Sequence, residues 1–296
     1  SLRSRTGQVI SQRQLWVHAK DHTGFYGYKL KLPSGPPRGI IGIHAGNGFL
    51  YVLVREDDAV ASLWKTTNGF DLSVWQEELW TSGDAAPIPL RIPLAAARRP
   101  GVIFQNKLWL LGGDCCNPDL PLARVGSHDF RPEHGGFRDE AAPWPARMGH
   151  AVFTDGTHIW VVGGWRQGGG ALNDIWLFNG MTWMRLPDPP WRPRCLFGAT
   201  ATSTDVWIAG GFDTPGGKTY DDIWRYAKSS KKWEKLDAKL CQKDEHQYVA
   251  GSMFALRDQP RAFTVHYDPD TGRYPVTLHT MYKYIDKWRK DTAEYT

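Results

Sequence analysis

The chain holds only four cysteines among its 296 residues. None is spaced as Cys-x-x-Cys, so the common zinc-site frameworks are excluded. Cys115 and Cys116 are adjacent and could close a strained vicinal disulfide, while Cys195 and Cys241 stand alone; ordinary unbridged thiols are the expectation. No run of 18 apolar residues occurs, which leaves no candidate membrane-spanning helix. A block of like charge is also missing. Lys and Arg number 36 against 31 Asp and Glu, for a net charge of +5, and the basic residues are dispersed, so nucleic acid binding is permitted but not indicated. The sequence has no Ser-His-Asp order, phosphate loop or dinucleotide fingerprint. No signal peptide is visible, and a chain opening at Ser1 without methionine fits removal of a leader or tag; the compartment is left open.

Aromatic residues are abundant, with 15 Trp, 11 Tyr and 12 Phe, and they recur at fixed spacing. One segment runs from Arg147-Met-Gly-His through Ile159-Trp-Val-Val-Gly-Gly164 and Asn173-Asp-Ile-Trp176 to Trp183. A second runs from Arg194-Cys-Leu-Phe through Val206-Trp-Ile-Ala-Gly-Gly211 and Asp222-Ile-Trp224 to Trp233. A third copy, Arg99-Pro-Gly-Val-Ile-Phe with Leu108-Trp-Leu-Leu-Gly-Gly113, places Trp109 some 51 residues before Trp160. A period near 50, with a glycine pair after an apolar strand and two spaced tryptophans, is the signature of four-stranded sheets repeated around a channel.

This pattern resembles the kelch-repeat superfamily, strongly over 99–113 and 147–236 and by extrapolation elsewhere. The fold expected is all-β: one six-bladed propeller domain of four-stranded antiparallel blades over 1–296. Approximate blades fall at 5–37, 38–97, 98–146, 147–193, 194–246 and 247–290. The blade from Arg38 has Arg55-Glu56 in place of the glycine pair, and the first blade is short of a fourth strand. Each blade has two apolar faces to bury and gains stability only between neighbours.

Loops before strand one and after strand two share one face of such a fold. On that face Arg5, Arg38, Arg99 (or Arg98), Arg147 and Arg194 (or Arg192) occupy equivalent positions. Converging guanidiniums suit carboxylate, sulfate or phosphate, so an acidic peptide, acidic protein or anionic small molecule is the expected partner. The competing reading has each arginine pair within its blade, with Asp114, Asp174, Asp213, Asp221 and Asp222 as available partners. Trp165 and Phe212 could wall a ligand pocket beside the arginines or pack a seam between blades. A carbohydrate is a further ligand class, favoured by an exposed Trp165.

An enzyme is the alternative. The resemblance brings in sialic-acid mutarotases, which use an acid and arginines facing the channel. Glu56, Asp114 and His150 are the catalytic candidates for a sugar-acid epimerase of that kind. A metal-assisted oxidase or lyase is the other enzymatic variant. The cysteine, tyrosine and histidines of kelch copper oxidases cannot be assembled here, and the Glu-x-x-x-Asp-x-x-x-His run of the iron-dependent plant proteins is missing. His128, Asp129 and His134, expected in a polar loop between Cys115 and Trp144, are weak candidates for a divalent metal, the only cofactor considered.

Overall fold

The computed structural model describes residues 14–18, 25–29, 39–69, 75–80, 86–113, 122–131, 136–166, 168–239, 248–249, 253–256, 258–266, 276–282 and 287–295. Arg5, Arg38, Asp114, Cys115, Cys116 and His134 lie outside these residues. The chain groups into two compact units, one of 1–111 with 124–141, the other of 112–123 with 142–296.

In the first unit, β1 (Gln14–His18) and β2 (Phe25–Lys29) form an antiparallel pair. Strands β3 (Ile40–Gly46), β4 (Phe49–Arg55), β5 (Val60–Thr66) and β6 (Trp75–Glu77) then pair in chain order. The Asn47-Gly48 turn joins β3 to β4 with φ of 52° and 79°, the doubly positive pair that a two-residue hairpin matching strand twist requires. A ribbon of β7 (Leu79–Trp80) and β8 (Ile88–Pro89) follows, and β9 (Arg91–Pro93) returns to pair with β5. The single helical turn α1 (Leu94–Ala97) leads into β10 (Gly101–Phe104), β11 (Lys107–Leu111), β12 (Arg124–Asp129) and β13 (Arg138–Ala141), a four-stranded antiparallel sheet in chain order. Leu53, Leu63, Ile92, Leu108 and Leu110 are fully buried at the centre of this unit's core.

The second unit repeats the plan. Strands β14 (Ala151–Thr154), β15 (Ile159–Arg166), β16 (Gly170–Phe178) and β17 (Trp183–Arg185) make one four-stranded sheet. Strands β18 (Gly198–Ala201), β19 (Asp205–Ala209), β20 (Asp222–Ala227) and β21 (Lys232–Lys239) make the next. In the last sheet β22 (Tyr248–Val249) and β23 (Met253–Leu256) both pair with β24 (Gln259–His266), followed by β25 (Val276–Tyr282) and β26 (Lys287–Tyr295). The second strand of each clear repeat is buried along almost its whole length, as a strand flanked by sheet on both faces must be. Phe153, Trp160, Val162, Ile175, Val206 and Ile208 join the first two sheets of this unit in one cluster. Among the described residues the fold is all-β except for one helical turn, and its repeating element is the four-stranded antiparallel sheet.

Candidate functional site

Two loops of the second unit, 144–150 before β14 and 191–197 before β18, carry the arginines expected to bind a ligand. Both side chains are fully buried. Arg147 donates from Nη1 and Nη2 to the two carboxylate oxygens of Asp174, each at 2.7 Å, and from Nη1 to the Gly163 carbonyl at 2.9 Å. Arg194 repeats the arrangement with Asp222 at 2.8 and 3.1 Å and the Gly210 carbonyl at 2.8 Å. The spaced tryptophans complete it: Trp176 and Trp224 each donate Nε1–H to the same Asp at 2.8 Å. Trp144 and Trp191, three residues before each arginine, cover the guanidiniums at 5.4 and 5.5 Å from the ring centres, and Tyr220 lies 4.8 Å from that of Arg194. A forked cation in this setting is fully occupied.

The backbone closes the same lock. The Arg194 carbonyl accepts from Gly164 N–H at 2.9 Å, and the Arg147 carbonyl accepts from Gly113 N–H at 2.9 Å. Arg194 thus ties its own sheet's third strand to the glycine pair of the sheet before it. Gly164 has φ of 106°, and a β-carbon there would stand 2.7 Å from His150 Cβ and 2.9 Å from the Met148 carbonyl. That close approach is why the signature needs glycine.

In the first unit Arg99 is buried and forms a fork with Asp139 at 2.7 and 3.1 Å. Arg99, Arg147 and Arg194 are therefore structural, which corrects the expectation that their guanidiniums are offered to an anion. Burial alone would raise the carboxyls of Asp139, Asp174 and Asp222, but the arginine hydrogen bonds and charge hold all three below the ordinary aspartate value.

The other expected residues separate. Phe212 is buried at 9% exposure, bridged to Cys195 and Thr219, and so packs a seam instead of lining a pocket. Trp165 keeps a partly exposed ring at the loop end of β15, where its backbone bridges Met148. His150 is buried, and a β-carbon on Gly112 would fall 2.2 Å from its Cε1. Its repeat equivalent Phe197 sits against Gly163 in the same way, so His150 stands at an aromatic packing position of the repeat. Glu56 is exposed and accepts a hydrogen bond from Ser62 Oγ. His128 and Asp129, expected on a loop, are buried strand residues of β12. Arg131 forks onto Asp129 at 3.0 and 2.6 Å and Lys107 approaches to 3.6 Å. With two cations on its carboxylate, Asp129 is not set up as a metal ligand, and no group of three His, Cys, Asp or Glu suited to a metal occurs among the described residues.

The loop end of these two sheets nevertheless presents basic side chains, of which sequence reasoning offered only Arg192, as an alternative to Arg194. Arg166 at the end of β15, Arg192 and Lys218 are exposed, and no ion pair among the described residues engages them. Of the nearby carboxylates, Asp213 is turned into its own loop, accepting from Lys218 N–H at 2.8 Å and Thr214 Oγ1 at 3.3 Å. The missed signal was available. Arg192 precedes Arg194 in Trp191-Arg-Pro-Arg194, and only one of the two can reach the Asp222 fork.

The four-stranded antiparallel sheets and the glycine-arginine lock support a kelch-type propeller fold. Two consecutive segments, 146–190 and 193–237, match the model of the Kelch motif. These two segments, less than a third of the chain, are similar to kelch repeats. A solved chain described as "Structure of YjhT" is similar with a TM-score of 0.61 and 15% identity, over 88% of this chain and 85% of that one; at that identity the likeness is one of fold. Comparison with curated protein sequences gave no match. Kelch repeats serve generally as scaffolds for interaction, and no helix among the described residues is long and apolar enough to cross a membrane.

Proposed function

We propose that the protein is a six-bladed kelch propeller acting as a binding module for an acidic partner, an acidic peptide segment or comparable anion. The contact is made by the exposed loop residues Arg166, Arg192 and Lys218, with Trp165 and Tyr220 among them. The observation that carries this reading is the division of labour between neighbouring basic residues. Arg147 and Arg194 are neutralised by buried aspartates, whereas Arg166, Arg192 and Lys218 reach solvent from the same end of the sheets without an ion-pair partner among the described residues. Buried pairs contribute no outward field, but uncompensated surface cations steer and hold an anion. The Tyr220 phenol, raised first by burial, feels the charges of Asp213, Arg194 and Arg192, so a cation and an amphipathic ring are presented together. The anion-binding face thus uses different arginines from those the repeat pattern marks.

The experiment is a thermal-shift and anisotropy screen of the purified chain against acidic peptides, acidic sugars and phosphorylated metabolites. Binding to the folded state raises the melting temperature by mass action. Binding of acidic peptides that Arg192→Glu with Lys218→Glu weakens at least tenfold supports the reading. A shift confined to one sugar acid, unaffected by those changes, would favour the enzymatic alternative.

A further inference from the structure

Leu196 has φ of 52°, in the left-handed region, and its side chain is 38% exposed. The equivalent position of the preceding repeat, 47 residues earlier, is Gly149 with φ of 60°. The loop geometry therefore demands a left-handed residue at this point, and glycine satisfies it without strain. A leucine in that region is costly because its β-carbon crowds the following carbonyl, and unlike Asn or Asp it has no local hydrogen bond in return. Residues held this way concentrate where a function compensates for them.

Core packing does not supply the compensation. One flank of Leu196 covers Gly149, where an added β-carbon would stand 3.2 Å from Cδ2, and the residue still keeps 38% of its surface exposed. The backbone needs only the bond from Leu196 N–H to the Gly149 carbonyl at 2.7 Å, which any residue but proline can make. The neighbourhood is that of the proposed binding face. Gly149 follows Met148, which bridges Trp165, and Cys195, beside Leu196, bridges Phe212 at the base of the loop bearing Lys218. Arg192 lies four residues before Leu196 and is exposed.

We infer that Leu196 is a specificity-determining contact. It is an aliphatic knob at a strained loop position that receives a large apolar side chain of the partner, while Arg166, Arg192 and Lys218 hold acidic residues flanking that side chain. The occupant is an acidic peptide segment with one central apolar residue. An aliphatic knob offers no flat ring for a sugar to stack on, which distinguishes this occupant from a carbohydrate. The inference rests on the acidic-partner reading and adds the apolar requirement to it.

The test uses fluorescein-labelled nine-residue peptides with Asp and Glu at every flanking position and Gly, Leu, Phe or Lys at the centre, titrated by anisotropy. The proteins are the parent chain, Leu196→Asn and Leu196→Gly. Asn and Gly both accept the left-handed backbone while removing the aliphatic group. The parent chain is expected to bind the Leu and Phe peptides about tenfold more tightly than the Gly peptide, as burial of one side chain implies. Both variants should bind all centres near the Gly level and melt no lower than the parent chain. Binding without any dependence on the central residue overturns the inference and leaves the acidic-partner reading intact. A clear fall in the melting temperature of Leu196→Asn also overturns it, because the leucine is then a packing residue. If no acidic peptide binds the parent chain, the underlying reading fails and the inference falls with it.

Discussion

At the scale of single residues, the informative contrast is between Arg192 and Arg194, two positions apart with opposite fates. Arg194 is fully buried and forked onto Asp222, whose side chain is 17% exposed. Removing one partner of such a pair leaves an uncompensated buried charge and costs about 3–5 kcal/mol. Arg194→Ala and Arg147→Ala should therefore each lower urea-denaturation stability by about that amount, whereas Arg192→Ala should change it by less than about 0.5 kcal/mol. The aspartates also fix the acid limb of stability. Their folded-state carboxyls lie below the ordinary value, so their contribution is present above the unfolded aspartate value near pH 4 and is lost as pH falls through the lower folded value. The sequence showed an arginine and an Asp at repeated positions. It offered their pairing only as one of two readings, because the two are 27 or 28 residues apart and only the pairing of strands two and three brings them together.

Elements carry a second set of consequences. The glycine pair after strand two is the docking point for the next sheet's arginine carbonyl, so Gly164→Ala combines backbone strain with a steric clash. A loss of roughly 2–5 kcal/mol is expected, read as a lower melting temperature with the parent circular-dichroism spectrum retained. In the first unit, β3 and β12 each bury a histidine, His44 and His128. Burial pushes both imidazoles down to about 4, only partly opposed by the backbone at Gly101 for His44 and by the backbone at Gly136 and the Asp129 charge for His128. Folded-state values below the unfolded 6.5 mean that both stay neutral in the fold. Their contribution is thus complete above about pH 6.5 and is lost as pH falls from there toward 4. Hydrogen exchange should show β3 and β12 losing protection between pH 6.5 and 4.5, before β15 and β19, whose acid sensitivity begins below pH 4; simultaneous loss in all four strands would contradict this. The strands themselves were legible from apolar runs and turn glycines. The placement of His128 and Asp129 was not, since the polar stretch around them masked the short strand β12, whose buried residues Val125, Gly126, His128 and Asp129 do not alternate.

For the molecule as a whole, the repeat period revealed the architecture because a sheet-stacking fold writes the same pattern once per sheet. Function was less legible for the same reason. Positions that recur in every repeat serve the repeat, as Arg147, Arg194 and the glycine pairs do, while positions that break the pattern are left free for a partner. Arg166, Arg192, Lys218 and Leu196 are all of the second kind: Arg192 stands where the preceding repeat has Pro145, and Leu196 where it has Gly149. Such exceptions cannot be ranked until the recurring arginines are seen to be occupied. The measurement that tests this most directly is the salt-dependent affinity of a fluorescein-labelled acidic peptide for the parent chain, for Arg166→Glu/Arg192→Glu/Lys218→Glu, and for a surface control reversing Lys231 and Lys232. The account predicts affinity that falls steeply with salt, a loss of at least tenfold in the triple variant at unchanged melting temperature, and little change in the control. Equal affinity in all three proteins would contradict it.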